Sequence, residues 1–153
     1  MTGVYSRYFI EEYLEEELRK AKRFDKKFTL LFIDLNDFKL VNDRYGHYVG
    51  DWVLKEMASK ILSNLRDYDL LARWGGDEFL ALLPEVACIE VLEILDRLYN
   101  NAFLVYKDLK VTLSVGYACY PDHGSTIEQL VKEADNSMYR AKSLHKEVKR
   151  SIS

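Results

Sequence analysis

The segment at 73–79 is the part of the sequence best equipped for chemistry, because Gly75 and Gly76 are followed there by Asp77 and Glu78. Apolar runs flank it on both sides, which predicts a β-hairpin with an acidic tip. Glycines at such a tip can adopt positive φ and let a ligand approach the main chain, as a phosphate or nucleotide site requires. An ordinary solvated turn has the same composition, so the rest of the chain has to decide between the two.

A third acid, Asp34, follows a nearly continuous apolar run at 28–33. That run predicts a central strand covered on both faces. If this strand neighbours the hairpin, Asp34 converges on Asp77 and Glu78, and packed carboxylates repel one another unless a cation or proton intervenes. Hard oxygen ligands favour Mg²⁺, which completes its shell with waters and substrate phosphates, so a nucleoside triphosphate is the expected substrate. A salt-bridged structural network is the alternative.

The elements that must position these acids follow from periodicity. Apolar residues at helical spacing predict helices over 9–21, 53–65, 89–99 and 127–139. A shorter helical pattern covers 39–45, and Asp51 stands where an N-cap of the second helix is expected. Two further strands are predicted at 103–106 and 109–119. Large and small residues alternate along the longer one, so that one of its faces is uniformly small and admits close packing.

Length and composition predict one soluble domain. A chain of 153 residues with 48% hydrophobic and 31% charged residues is typical of a single globular unit. It contains neither an apolar run near the roughly 20 residues that span a bilayer nor a signal peptide, so we expect a cytoplasmic domain without membrane insertion. The net charge of -3 gives no general reason to bind nucleic acid. Any phosphate must therefore be held locally.

The two cysteines, Cys88 and Cys119, lie far apart without metal-ligand spacing. We expect two free, buried thiols.

Segment 73–79, Arg-Trp-Gly-Gly-Asp-Glu-Phe, resembles the signature of the GGDEF family of diguanylate cyclases. The similarity covers nearly the whole chain, through ordered motifs at 2–4, 32–39, 41–43, 46–51, 114–118 and 134–142. It implies an α+β fold with a largely antiparallel central sheet surrounded by helices, like a polymerase palm. It also implies that residues 1–153 are a single GGDEF catalytic domain, which we expect to be excised from a longer regulated protein.

The resemblance implies roles for the acids. Asp34, the backbone carbonyl of Leu35 and Asp77 would bind Mg²⁺, with Mn²⁺ as a possible substitute. Asp77 and Glu78 would be the catalytic acids. Glu78 would assist at the metal or deprotonate the ribose 3′-hydroxyl, and the division of roles between the two acids is left open.

Substrate-binding residues are implied in the same way. Asn42 and Asp51 would read guanine, since an amide and a carboxylate pair with an edge that adenine cannot present; for Asp51 a plain helix cap is the competing interpretation. The remaining positions implied to hold the nucleotide are Lys39, His47, Gly75, Gly76, Lys142 and Lys146.

A second site is implied by Arg66 and Asp69, which resemble the Arg-x-x-Asp motif that binds the cyclic dinucleotide product and inhibits the enzyme. Arg97 may be read as a second arginine of that site or as a solvated helix charge. The chain departs from the family pattern at Asn36, Ser6 and the His145-Lys146 pair; Lys146 keeps a positive charge but lacks the planar fork of arginine. These departures leave the proposed metal ligands intact.

The function implied is condensation of two GTP into cyclic di-GMP and two pyrophosphates, at a site shared by two protomers of a homodimer. The alternative is a catalytically weak or silent module that binds GTP or cyclic di-GMP as a signal. A plain interaction domain is disfavoured by the number of ordered motifs.

Overall fold

A computed structural model describes residues 4–152, with side chains to residue 148. Thr2 and Gly3 of the N-terminal motif therefore lie outside the described residues. The elements are β1 (Val4–Tyr5), α1 (Arg7–Phe24), β2 (Phe28–Asn36), α2 (Phe38–Ser63), β3 (Leu70–Gly75), β4 (Glu78–Pro84), α3 (Cys88–Asn101), β5 (Leu104–Tyr106), β6 (Leu109–Tyr120) and α4 (Ile127–Ile152). Within this part of the chain, none of the helices is both long and apolar enough to cross a membrane.

The strands form one six-stranded sheet in the order β1-β3-β4-β2-β6-β5. Only the short β1 pairs in parallel among the described strands; every other pairing is antiparallel. The predicted α+β fold with a largely antiparallel sheet is confirmed. Strand β2 lies at the centre, and all nine of its residues are buried. It runs further than predicted, so Asp34 lies within the strand rather than after it.

The two faces of the sheet carry separate cores. Leu31 and Ile33 pack on the side covered by α2 and α3, whereas Leu30 and Phe32 pack on the side covered by α1 and α4. Because side chains alternate along a strand, Asp34 belongs to the same face as Leu30 and Phe32. The strand period therefore directs the first acid toward α4.

Helix α4 lies unusually close to β6. A Cβ atom at Gly116 would lie 1.9 Å from the backbone nitrogen of Met138 and 2.3 Å from the carbonyl oxygen of Ala134. Any side chain at Gly116 would push the helix away, which confirms that the small face of this strand serves close packing. The contact fixes the distance of α4 from the sheet one turn before Lys142.

Helix α2 corrects one prediction. It is interrupted at Gly46, whose φ of 88° and ψ of 166° are not helical. Helical structure resumes directly after this glycine, so Asp51 lies on the exposed side of a helix interior and is not an N-cap. Glycine is suited to such a break because it has no Cβ to oppose positive φ. The short helix predicted at 39–45 is confirmed as the part of α2 before the break.

The prediction of two free thiols is wrong, because Cys88 and Cys119 form a disulfide with their Cα atoms 5.7 Å apart. Cys119 pairs in register with Thr29 of β2, and the Thr29 hydroxyl donates to the carbonyl of Val86 at 2.8 Å. The disulfide holds the start of α3 against the sheet. The spacing of the two cysteines in the sequence gives no hint of this contact. His123 lies beside the disulfide, its Nδ1 accepting from the Cys119 N–H at 2.8 Å.

Candidate active site

The sheet register brings the three predicted acids together. Glu78, the first residue of β4, lies directly opposite Asp34 of β2. The N–H of Leu35 donates to the carbonyl of Asp77 at 3.2 Å, which ties the hairpin tip to the end of the central strand. The convergence of the three acids expected from the sequence is thus present. They meet at the end of β2 that lies beside the hairpin tip.

Burial and mutual repulsion disfavour ionisation of two of these acids. The pKa of Asp77 is raised, first by burial and then by the charge of Asp34. The pKa of Glu78 is also raised, by burial, then by Asp34 and by the α4 residue Asp135. Lys142 opposes both shifts. A cluster with this balance gains stability from an added cation.

Asp34 has one oxygen paired and one unpaired. Its Oδ2 accepts a hydrogen bond from Lys142 Nζ at 2.7 Å, whereas its buried Oδ1 has no donor while the neighbouring Asp77 carboxyl, which lies within hydrogen-bonding reach of Asp34, is ionised. An orphaned, buried carboxylate oxygen beside Asp77 fits a hard divalent cation such as Mg²⁺ or Mn²⁺. Lys142, implied by the resemblance to hold the triphosphate, contacts Asp34 of the acid cluster in this structure.

The hairpin glycines do not adopt the positive φ that such a tip permits; among the described glycines it occurs at Gly46. A Cβ at Gly75 would make a tight contact of 3.1 Å with Glu78 Oε1, whereas Gly76 faces open space. Arg73, which sequence reasoning passed over, closes the tip by donating from Nε and Nη2 to the Gly76 carbonyl at 3.1 and 2.8 Å.

The predicted guanine-reading residues lie on either side of the break in α2. Asn42 occupies the space above Gly50, where a Cβ would lie 1.8 Å from Asn42 Oδ1. Gly50 is buried and immediately precedes Asp51. The absent side chain of Gly50 therefore leaves room for the Asn42 side chain against the residue before Asp51, a role for this glycine that its motif alone did not reveal.

The remaining nucleotide-binding candidates are less constrained. Lys39, His47 and Lys146 are exposed. His145 is partly buried, and its Nε2 has no hydrogen-bond partner. The structure thus gathers the three acids and Lys142 and packs Asn42 against Gly50, while these three candidate side chains lie exposed.

Arg66 and Asp69 bind each other. The guanidinium donates to both carboxylate oxygens, at distances down to 2.6 Å, and also to the carbonyl of Pro84 at 2.9 Å. The Asp69 side chain is only 2% exposed. Arg97 reaches the same region, donating to the carbonyl of Asn64 at 3.2 Å. The predicted product-site residues are neighbours, but two of them already satisfy one another.

Two departures from the family pattern have clear local roles. Asn36 bridges the central strands, donating to Thr112 Oγ1 at 3.0 Å and accepting from the Ser114 hydroxyl at 2.8 Å. Ser6 caps α1 by accepting from the N–H of Phe9 at 3.2 Å. Both side chains are therefore suited to their places.

The chain matches the family model described as "Diguanylate cyclase, GGDEF domain" over residues 1–147. It is 39% identical over 148 residues to the diguanylate cyclase TpbB of Pseudomonas aeruginosa, covering 93% of this chain and 34% of that protein. It is 35% identical over 150 residues to the response regulator PleD of Caulobacter vibrioides, covering 94% of this chain and 33% of that protein. The chain thus spans about a third of the length of these two relatives.

Solved structures agree. The crystal structure of the GGDEF domain of Pseudomonas aeruginosa TpbB superposes with a TM-score of 0.85 at 39% identity, covering 94% of this chain and 93% of that one. The residues matched by the family model include the described sheet, the hairpin, helices α1 to α3 and most of α4. The chain therefore belongs to the GGDEF domain family of diguanylate cyclases.

Proposed function

We propose that this domain is a metal-dependent diguanylate cyclase that condenses two GTP into cyclic di-GMP and two pyrophosphates. The observation that carries the proposal is the convergence of Asp34, Asp77 and Glu78 in a member of this family, with a buried oxygen of Asp34 unpaired. A purely structural network would be expected to satisfy that oxygen.

The acids divide the chemistry between holding a cation and accepting a proton. Asp34, Asp77 and the carbonyl of Leu35 would hold Mg²⁺ or Mn²⁺, which when bound neutralises charge developing on the leaving pyrophosphate. Glu78 has a raised pKa, which makes it a stronger base, and it would take the proton of the attacking 3′-hydroxyl. A bond forms from that oxygen to the α-phosphorus of the other GTP as the bond to pyrophosphate breaks.

Guanine selection is assigned to Asn42 and Asp51. An amide oxygen or a carboxylate accepts from the N1–H and exocyclic amine of guanine, and the amide N–H₂ donates to its carbonyl. Adenine presents the opposite pattern on that edge, so it leaves these polar groups unpaired. The packing of Asn42 over Gly50 supports this assignment because it places the Asn42 amide against the residue that precedes Asp51.

Two protomers are needed, because each 3′-hydroxyl attacks the α-phosphate held by the other. Turnover per protomer should therefore rise with protein concentration. Incubation with GTP and Mg²⁺ over a range of protein concentrations, with the products separated by chromatography, tests this. If GTP binds and no product forms at any concentration, the domain is a nucleotide-binding module and the proposal fails.

We further propose a product site at Arg66, Asp69 and Arg97. Support comes from their proximity and from the crystal structure of the DgcB GGDEF domain of Caulobacter crescentus in complex with c-di-GMP, at 25% identity and a TM-score of 0.76 over 92% of this chain and 86% of that one. The ligand would take over guanidinium donors that Asp69 now occupies. Calorimetric titration of c-di-GMP into wild type, Arg66→Lys and Arg97→Ala tests it, with thermal melts to confirm folding. Unchanged affinity in both variants would exclude this location.

A further inference from the structure

The ion pair between Lys142 and Asp34 links α4 to the centre of the sheet across 108 residues of sequence. Their side chains are 25% and 10% exposed, so the pair is largely withdrawn from water. An ammonium at 2.7 Å from a carboxylate in such a place is a substantial interaction, and removing either partner leaves the other charge poorly solvated. Asp34 is therefore held by a cation of the chain's own.

The ammonium lies where the acids need positive charge. Asp34, Asp77 and Glu78 repel one another, and Lys142 is the lysine whose attraction partly offsets that repulsion at both Asp77 and Glu78. It neutralises one oxygen of Asp34 and leaves the other unpaired. One positive charge only partly compensates three carboxyl groups, so the cluster is set up to accept a stronger cation.

We propose that Lys142 is the resident counter-cation of the acid cluster, competing with the divalent metal for Asp34 until a triphosphate offers the ammonium a new partner. The inference rests on the proposed metal-dependent function and adds an order of events to it. The ammonium occupies Asp34 first, and the metal binds well only when the nucleotide is present. Lysine suits this exchange because its ammonium is a compact charge on a flexible stem. The packing of α4 at Gly116 keeps the helix in place while the side chain moves.

The consequence is thermodynamic coupling between metal and nucleotide. Without nucleotide, a metal on the unpaired Oδ1 of Asp34 must share that carboxylate with the Lys142 ammonium on Oδ2, and the two cations repel each other. With a triphosphate present, the ammonium passes to a phosphate and that cost disappears. Because coupling is reciprocal, nucleotide raises the affinity for metal and metal raises the affinity for nucleotide. The site then stays largely free of metal until substrate arrives.

The test is Mn²⁺ binding without nucleotide, measured by calorimetry and by the electron paramagnetic resonance signal of free Mn²⁺. Lys142→Met should bind Mn²⁺ about tenfold more tightly than wild type, which corresponds to about 1.4 kcal/mol. Lys142→Arg, which keeps the charge, should stay close to wild type. Lys132→Met removes an exposed lysine from the same helix and controls for net charge. A non-hydrolysable GTP analogue should reduce the difference in Mn²⁺ affinity between Lys142→Met and wild type.

A static support role gives the opposite result, because Asp34 without its partner would be badly placed and would bind Mn²⁺ no better. Equal, weaker or undetectable Mn²⁺ binding in Lys142→Met overturns the proposal. If that variant is poorly folded, its melting temperature should rise more on adding Mn²⁺ than that of wild type, and an equal rise also overturns it. Failure of the cyclase proposal looks different: GTP turnover is absent while the Mn²⁺ difference remains.

Discussion

Strand β2 has two ends that differ in how completely their polar groups are paired. At the closed end, around Phe28 and Thr29, the Phe28 ring stacks on Tyr120 at 5.2 Å and the Thr29 hydroxyl donates to Val86. The disulfide between Cys88 and Cys119 lies beside them. At the open end, around Asp34, one buried carboxylate oxygen has no partner and the neighbouring acids repel it.

The difference shows where stability and function reside in one continuous strand. Buried polar groups stabilise a protein only when paired, and unpaired charges destabilise it. The closed end is built as a conventional core, and it anchors a strand whose other end is left electrostatically unfavourable. The open end becomes favourable when a cation and phosphates arrive. Changes at the two ends should therefore separate activity from stability.

The largest effect is expected from Asp77→Asn at the open end. Loss of a metal ligand should lower GTP turnover at least about 1,000-fold, about 4 kcal/mol of barrier. The free energy of unfolding of the metal-free protein should be unchanged or higher, since one repelling charge is removed. Chromatographic assays and urea titrations measure the two quantities. Glu85→Gln, an exposed acid near the closed end, is the control; a large stability loss in Asp77→Asn would contradict the comparison.

At the closed end, replacing Cys88 and Cys119 together by serine should have the opposite profile. Opening a loop of sequence separation 31 should lower the free energy of unfolding by roughly 3–4 kcal/mol through the entropy of the unfolded chain. Turnover at a temperature where the variant is folded should stay within about twofold of wild type, because the disulfide lies at the far end of β2. The same urea titrations and turnover assays apply, and activity lost in step with that of Asp77→Asn would show that the two ends are not separable.

A smaller effect should follow from Gly50→Ala, in the proposed guanine-reading region. The new methyl group would displace the Asn42 side chain, and we expect GTP affinity to fall by roughly tenfold, the equivalent of one lost hydrogen bond. Calorimetry with GTP and ATP gives an internal control, because binding that does not involve guanine should change little. An equal loss for both nucleotides would place the defect outside base recognition.

The smallest effect is a difference in pH dependence. Asp77 and Glu78 have raised pKa values in the folded state, so the folded protein keeps protons that the unfolded chain has released. Their contribution to the free energy of unfolding therefore falls as pH rises from the ordinary carboxyl pKa through the raised values. Glu85 has its pKa lowered by its hydrogen bond and charge interaction with Lys26, so its contribution is present above the ordinary pKa and is lost as pH falls.

Urea titrations of wild type, Asp77→Asn and Glu85→Gln between about pH 3 and pH 7 check the two signs. Relative to wild type, Asp77→Asn should gain stability as pH rises, whereas Glu85→Gln should lose it. If the stability of both variants relative to wild type changed in the same direction with pH, the electrostatic contrast between the two ends would be contradicted.

Most elements of the fold were predictable because their patterns are local. The helical stripes satisfy the helical period, the apolar run at 28–33 has the length of a strand, and the hairpin has turn residues between two apolar runs; all are confirmed. The sequence predicted that the acids converge if β2 and the hairpin are neighbours in the sheet. The strand register shows that they are neighbours. Local patterns fail where a single backbone torsion intervenes, as at Gly46, which moved the helix start and removed Asp51 from its expected cap.

By itself the sequence determined which residue types are present for chemistry and on which elements they lie, because those depend on periodicity and composition. Only the tertiary structure decided which of them meet. The disulfide of Cys88 and Cys119 and the placement of Lys142 on Asp34 join residues through packing of distant elements. The contact of Lys142 with Asp34 depends on how closely α4 approaches the sheet, and any side chain at Gly116 would prevent that approach.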